Sequence, residues 1–270
     1  MAIVTLTRQS GSFGDEIGML IARRLGYTFF DKHEIERRII AKGLPKEEFI
    51  KYDERKPTFL ARYAKNRDRY LNFLSSVVLE IAKEGNCVII GRGAFLFLRD
   101  VPNHIALRFV APFEERIKHI MELKNIETEK AAQLLLEKSD KRKVAFYKSC
   151  FKYDFIHASI NTGMIHPDMV AEMVVAGINN NITPEIEEAG KQRVSELILA
   201  QEMANKLIFE HGLHIDELWV IVRDKNITLH GVTSFHATVE RAETILESEY
   251  SGYKVVSEIK CVQDNRFSKA

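Results

Sequence analysis

The sequence predicts an α/β fold, a parallel sheet flanked by helices, followed by a small α-β-β-α-β domain. Strand-like and helix-like segments alternate through residues 1–180, as they do around parallel sheets. A small-residue loop at 11–16 joins an apolar run to an amphipathic segment. A polar, Asn- and Glu-rich break follows, after which the pattern changes. We therefore predict one domain at 1–180, a linker at 181–191 and a second domain at 192–265.

Apolar periodicity predicts the elements of the first domain in order. Short apolar runs predict strands at 3–7, 87–90, 105–110 and 158–161. The run at 87–90 is apolar throughout, as expected of a strand buried on both faces. Apolar residues spaced by three and four predict helices after the loop and at 70–83, 114–124, 127–138, 140–148 and 167–177.

The second domain has a different order of elements. A helix with apolar residues at 194, 197, 198, 204 and 208 comes first. Two strands at 219–222 and 227–232 follow, joined by a polar turn. A helix around Ala242 and a strand at 255–262 complete the domain. This size and pattern are typical of a separate small domain.

The composition excludes several classes of function. The 270 residues are 46% hydrophobic and 29% charged, with a formal net charge of +1. That balance provides no bulk attraction to nucleic acid or to an anionic membrane. No apolar stretch approaches the roughly 20 residues that span a bilayer, and the N-terminus lacks a signal-peptide pattern. We expect a cytoplasmic protein with no membrane span and no nucleic-acid partner.

The loop at 11–16 has the setting of a phosphate-binding loop. A strand, a small-residue loop and a helix direct backbone N–H groups and the positive helix end at one point. Overlaid on the Walker pattern G-x-x-x-x-G-K-[ST], Arg8 replaces the first glycine and Phe13 the second. Gly14 then replaces the lysine, and Asp15 replaces the Mg²⁺-binding hydroxyl. The loop alone fits either a phosphate cradle or an ordinary tight turn.

Further motifs, in the same order, resemble the cytidylate kinase-like proteins, relatives of bacterial CMP kinases among the P-loop nucleoside monophosphate kinases. The segment TLTRQSGSFG at 5–14 resembles the family's opening SRQ-x-GSGG. LGYTFFDK at 25–32 resembles LG-x-x-x-x-D-K, and VIIGRGA at 88–94 resembles VI-x-GRGA. Similar segments follow at 111–117, 140–142 and 160–162. The resemblance covers residues 1 to about 178 and implies a P-loop kinase-type sheet.

The activity that the resemblance implies is transfer of the γ-phosphoryl group of ATP to a nucleoside monophosphate, most readily CMP or dCMP, with Mg²⁺. Positioning and positive charge carry the catalysis of such transfers. The phosphate-binding loop would comprise Gly11, Ser12, Phe13, Gly14 and Asp15. Arg8 would supply charge in place of the lysine, since a guanidinium suits bidentate phosphate contact.

The resemblance also assigns an acceptor site and a lid. Asp31, Arg37 and Arg92 would bind the acceptor nucleotide, and Arg116 and Arg142 would fold over the transferred phosphate as lid cations. Each assignment has a structural alternative. Asp31 has the position of a helix N-cap, and lid cations have the pattern of a solvated helix face.

Two loop residues also have alternatives. Asp15 is a tentative Mg²⁺ ligand, although an acid at a helix start also favours the helix dipole. Arg8 is a catalytic candidate, and the alternative is an ordinary surface arginine.

Residues 192–265 resemble a BON domain, a class that binds membranes, small ligands or partner proteins. The resemblance is carried by apolar alternation around Gly231 and by the segment GYKVV at 252–256. A packing or dimerisation domain explains the same pattern, so a homo-oligomer or a partner protein bound through this domain is expected.

Three functions compete. The retained Asp31, Arg37 and Arg92 favour a kinase. The loop lacks the Walker lysine and hydroxyl, and Gly93 stands where CMP kinases carry an acid. These absences favour an inactive nucleotide sensor that signals through the second domain. Phe13 is a further departure, because its side chain at a glycine position would hinder close phosphate approach. A structural or lipid-facing adaptor is the third reading.

Overall fold

A computed structural model describes residues 1–47, 65–150 and 155–262, with the backbone alone at 65–69 and 145–150. The chain divides into two units, Met1–Lys191 and Gln192–Ala270. Within the described ranges, no helix has the length and apolar character needed to cross a membrane.

The first unit contains a five-stranded parallel sheet. Its strands are β1 (Ile3–Arg8), β2 (Thr28–Phe30), β3 (Cys87–Ile90), β4 (His104–Val110) and β5 (Ala158–Asn161). They are arranged in the order β2-β3-β1-β4-β5, and every neighbouring pair is parallel. Strand β1 is central and pairs Ile3 with Cys87 on one side and with His104 on the other. The predicted parallel sheet is confirmed, and β2 is an added strand too short to show a pattern.

Seven helices lie wholly within the described part of the first unit. They are α1 (Gly14–Leu25), α2 (Lys32–Ala41), α3 (Lys65–Glu84), α4 (Ala94–Phe97), α5 (Phe113–Lys124), α6 (Glu129–Cys150) and α7 (Pro167–Asn181). Helix α6 is continuous where the periodicity predicted two helices. Asp140 lies at the predicted junction, and its carboxylate is held by Arg116 instead of capping a new helix.

The core of the first unit forms between the sheet and α1 and α7. Strands β1 and β3 contribute the buried side chains of Val4, Leu6 and Val88, and α1 contributes those of Ile17 and Ile21. Each such side chain contributes about 1.5–3 kcal/mol through burial. This packing holds the carboxyl end of β1 and the start of α1 in place, and the loop between them lies there.

Helix α8 (Pro184–Asn205) occupies most of the segment predicted as a linker. Thr183 caps it, since its Oγ1 accepts a hydrogen bond from the backbone N–H of Ile186 at 3.4 Å. Glu187 and Lys191 are four residues apart and form an ion pair of 2.9 Å. Oppositely charged residues with this spacing stabilise an exposed helix. The polar segment is therefore helical from Pro184 onward.

The second unit contains a three-stranded sheet. After a π-helical turn at Lys206–Glu210 come β6 (Asp216–Arg223), β7 (Asn226–Thr233), α9 (His236–Glu249) and β8 (Lys254–Cys261). Strands β6 and β7 are antiparallel, and β7 and β8 are parallel. Met203, Leu207, Leu229 and Leu246 belong to its core. The separate small sheet domain predicted at the C-terminus is present.

Candidate functional site

The loop between β1 and α1 lies at the carboxyl end of the central strand, where open α/β sheets bind ligands. Gly11 has a φ of 80°, and a Cβ there would lie 2.7 Å from the carbonyl oxygen of Arg116. Glycine therefore allows α5 to approach the loop. Phe13 also has a left-handed backbone, with a φ of 56°, and directly precedes α1. The first N–H groups of that helix have no intrahelical acceptors.

Ser12 anchors the loop to the sheet. Its side chain is fully buried, and its Oγ lies 2.9 Å from the carbonyl oxygen of Gln9 and 3.2 Å from that of Phe109. The Oγ1 of Thr162 donates to the carbonyl oxygen of Ser12 at 3.0 Å. The Ser12 hydroxyl therefore holds the loop in shape.

Phe13 packs on His119 of α5. The two rings are parallel to within 10°, and their centroids lie 3.7 Å apart. His119 Nδ1 lies 3.1 Å from the carbonyl oxygen of Gly11, and its Nε2 lies 3.1 Å from Glu16 Oε1. These contacts and the ring stack hold the Phe13 ring against α5.

A cleft of about 550 Å³ opens beside the loop. This volume is in the range of small-molecule sites, about 300–1,000 Å³. Two acidic residues of the loop region line it, Asp15 and Glu16. Six cationic residues also line it, and they are Arg8, Lys32, Arg92, Lys124, Arg142 and Lys143. This excess of positive charge suits a polyanionic ligand.

Arg8 and Asp15 form an ion pair at the mouth of the loop. Arg8 Nη2 lies 2.8 Å from Asp15 Oδ1, and Arg8 Nε lies 3.2 Å from Oδ2. The third nitrogen, Nη1, lies against Gly91, where a Cβ would be 2.8 Å away. The guanidinium is thus held between the start of α1 and the end of β3.

Arg92 follows β3 and lines the cleft although only 2% of it is exposed. Its φ of 59° is left-handed, as are those of the flanking Gly91 and Gly93. A left-handed backbone costs a non-glycine residue roughly 1–2 kcal/mol. A charged residue kept at this cost on a cleft is a functional candidate.

Arg116 ties the loop to two helices. Its Nε donates to the carbonyl oxygen of Ser10 at 2.7 Å, and its Nη2 lies 2.8 and 2.9 Å from the two carboxylate oxygens of Asp140. Only 3% of the residue is exposed. Arg142, the other predicted lid cation, lies on the cleft, and its Nε donates to the carbonyl oxygen of Lys138 at 3.1 Å.

The model of the cytidylate kinase-like family matches residues 3–165. The chain belongs to this family. The match extends from β1 through β5 and includes the loop and the cleft. No match was found among proteins of curated function.

Two solved structures show what the fold is similar to. An uncharacterized protein from Eubacterium ventriosum is 22% identical, with 66% of this chain and 99% of that chain covered and a TM-score of 0.51. Shikimate kinase from Acinetobacter baumannii, in complex with shikimate, is 19% identical, with 67% and 94% covered and a TM-score of 0.41. The first of these matches shows a similar fold, and in this chain that fold is a parallel five-stranded sheet flanked by helices.

Two residues that the family resemblance assigned to the acceptor lie on α2. Asp31 Oδ1 accepts a hydrogen bond from the backbone N–H of Glu34 at 2.9 Å and caps that helix. Arg37 is 75% exposed at its side chain and pairs with Glu34 at 2.8 Å. Hydrogen bonds from Arg37 and Arg38 lower the pKa of the Glu34 carboxyl to about 2. Asp31 and Arg37 thus have their partners within α2. Their neighbour Lys32 lines the cleft.

The carboxylates of the cleft allow a test of the Mg²⁺ that this family implies. In the part of the chain that the structure describes, no cluster of three or more His, Cys, Asp or Glu forms a metal site. Mg²⁺ with a nucleotide needs only one or two carboxylates, because water and phosphate oxygens complete its shell. Asp15 fits that requirement, with Arg8 as its present partner.

Lys143 and His119 also lie at this site, and neither was predicted from the sequence. Lys143 Nζ donates to the carbonyl oxygen of Arg8 at 2.7 Å and lies 3.2 Å from Ser10 Oγ. These contacts join residues more than 100 positions apart. The sequence places Ser139 and Lys143 four residues apart, on one face of a helix. That spacing does not indicate which part of the protein the face contacts.

Proposed function

We propose that this protein is a phosphotransferase that moves the γ-phosphoryl group of ATP to a nucleoside monophosphate, with CMP or dCMP as the acceptor. One observation carries the proposal: a phosphate-type loop opens into a cleft lined by six cations. Phosphoryl transfer depends on positioning and on neutralising charge, and this cleft offers both. The nucleotide, the acceptor and Mg²⁺ use are parts of the proposal.

In this mechanism the loop and α1 bind the donor phosphates. The first N–H groups of α1, from Gly14 onward, donate to phosphate oxygens at the positive helix end. Arg8 turns from Asp15 to the phosphates and contacts them bidentately. Asp15 is then available to hold Mg²⁺, which neutralises phosphate charge when it is bound.

The remaining predicted residues have different roles in this mechanism. Arg142 lies on the cleft and stabilises the transferred phosphoryl group, and Arg92 binds the acceptor phosphate. Arg116 acts as a positioning residue, because its guanidinium is committed to Ser10 and Asp140. For Asp31 and Arg37, binding of the acceptor stays a prediction of the family resemblance.

A nucleotide sensor without turnover is the second candidate function. The observation that favours it is the Arg8–Asp15 pair, because this acid competes with phosphate for the loop's own arginine. Such a sensor would signal through the second unit, for which the BON resemblance, a bound partner and self-association stay predictions.

The deciding experiment is an ADP-release assay with ATP, Mg²⁺ and a panel of nucleoside monophosphates. CMP-dependent turnover that is lost in Arg8→Ala, but kept in Arg24→Ala, supports the kinase. Arg24 is a matched control, since it forms an ion pair of 2.9 Å with Asp168 on the same unit. Nucleotide binding in calorimetry without turnover supports the sensor. Absence of both would overturn the proposal.

A further inference from the structure

One face of α6 lies on the phosphate loop. Ser139, Asp140 and Lys143 have the spacing i, i+1 and i+4, which places them on one side of the helix. Ser139 Oγ lies 2.6 Å from Ser10 Oγ. Asp140 pairs with Arg116, which itself donates to the carbonyl oxygen of Ser10. Helix α6 therefore contacts the segment after β1 directly through Ser139 and indirectly, by way of Arg116, through Asp140.

Lys143 brings a positive charge to the centre of this contact. Its Nζ lies 2.7 Å from the carbonyl oxygen of Arg8 and 3.2 Å from Ser10 Oγ, and the residue lines the cleft. These two contacts are to neutral oxygens, one at the end of β1 and one just after it. A phosphate oxygen adds the Coulomb attraction of its negative charge to the hydrogen bond, and a neutral carbonyl or hydroxyl oxygen does not. A polyphosphate at the loop therefore competes well for this ammonium.

The loop lacks such a charge at the usual place. Gly14 occupies the position of the Walker lysine, and a Cβ there would lie 2.7 Å from the Cβ of Arg8. The loop's own cation, Arg8, faces Asp15 with two of its nitrogens. Lys143 brings a cation to residues 8 and 10 from another element, α6.

We propose that Lys143 is the phosphate-binding lysine of this loop, supplied by α6 in place of the side chain missing at Gly14. Its ligand is the terminal phosphates of a nucleoside triphosphate. The inference rests on the proposed function, since it names a binding residue of the same donor site. It also makes the docking of α6, held by the Arg116–Asp140 pair, a requirement for a complete cradle.

The test compares Lys143→Met with Lys141→Ala in the full-length protein, by calorimetry with ATP and with AMP. Met keeps the aliphatic length of lysine without its charge. Lys141 is on the same helix, 81% exposed at its side chain and 3.8 Å from Glu137. We expect K143M to weaken ATP binding about 10- to 100-fold, as loss of a charged hydrogen bond does. AMP binding and the K141A variant should change little, and Lys143→Arg should restore much of the affinity.

A labelling experiment covers the case in which K143M fails to fold. Acetylation of wild-type lysines, read by mass spectrometry, should be slowed by ATP at Lys143 and unchanged at Lys141. Equal ATP affinity in a folded K143M, or unprotected Lys143 under saturating ATP, would overturn the inference and leave the proposed function standing. Failure of the wild-type protein to bind any nucleoside triphosphate would instead count against the proposed function.

Discussion

Arg8 and Asp15 meet across the mouth of the loop, with Nη2–Oδ1 and Nε–Oδ2 distances of 2.8 and 3.2 Å. Asp15 is 57% exposed at its side chain, and exposed pairs of this kind contribute only about 0–1 kcal/mol to stability. The pair matters for binding, because it occupies the same nitrogens that would contact a phosphate. The loop therefore carries its own competitor for the anion.

Asp15→Asn should separate two effects of Asp15, its competition with phosphate for Arg8 and its proposed binding of Mg²⁺. Without divalent metal, we expect ATP to bind several-fold more tightly, because a negative charge beside the phosphates is removed. With Mg²⁺, turnover should fall at least about tenfold, since the proposed ligand is lost. Calorimetry in EDTA and the ADP-release assay measure the two effects. Asp168→Asn, in the Arg24 pair, is the control, and weaker ATP binding in EDTA would contradict the competition.

Gly11→Ala tests the close approach of α5 to the loop. The new Cβ would meet the carbonyl oxygen of Arg116 at 2.7 Å, in a left-handed backbone. Gly26→Ala is the control, because Gly26 is also left-handed, with a φ of 67° and no heavy atom near its Cβ position. Both variants carry roughly 1–2 kcal/mol of backbone cost. Urea unfolding should show Gly11→Ala to be less stable by a further 1–3 kcal/mol or so, and equal losses would refute the steric argument.

Arg116→Met should destabilise the first unit strongly. The change removes the buried partner of the Ser10 carbonyl oxygen and of Asp140, whose side chain is 32% exposed. Leaving such acceptors unpaired costs about 1–3 kcal/mol each. Lys118→Ala removes an exposed pair with Glu115 on the same helix and should cost less than about 1 kcal/mol. Denaturant titration measures both. A stable Arg116→Met with abolished turnover would favour a direct lid role instead.

Arg92→Ala should abolish acceptor binding while the protein stays folded. Arginine and alanine are equally strained in the left-handed backbone at position 92. The change therefore removes the guanidinium without adding backbone strain. Calorimetry with CMP, in the presence of a non-hydrolysable ATP analogue, measures the effect, and circular dichroism checks the fold. Unchanged CMP affinity would remove Arg92 from the acceptor site.

His104 predicts an acid-sensitive fold. Burial, with a smaller effect of His157, lowers the pKa of His104 to about 3, and its Nε2 lies 2.7 Å from Thr5 Oγ1 in the core. The unfolded chain, with a pKa near 6.5, then binds the proton more readily. The stability is therefore present above pH 6.5 and is lost as the pH falls towards 3.

At pH 5 this loss should reach about 2 kcal/mol relative to pH 7.5. His104→Gln cannot titrate and should show an acid dependence smaller by that amount in urea unfolding at the two pH values. His33→Gln, an exposed position on α2, should leave the wild-type slope unchanged. A His104→Gln slope equal to that of the wild type would refute this account.

Short-range patterns predicted much of the fold. The strand at 87–90 is β3, because four consecutive apolar residues have few stable placements outside a buried strand. Strand β2 was missed since three residues show no periodicity. The segment predicted as a linker is mostly helical, because its charged residues have helical spacing. The break predicted inside α6 is absent, and Asp140 at that point pairs with a tertiary partner, Arg116.

The sequence by itself determined the order of elements, the loop between β1 and α1 and the family, because each is encoded in neighbouring residues whose spacing follows from backbone geometry. The tertiary structure alone decided which side chains reach that loop. Lys143 and His119 arrive from distant helices, and Arg116 turns to Ser10 and Asp140. Such contacts depend on how helices pack against the sheet, and that packing minimises the free energy of the whole domain, which no local pattern records.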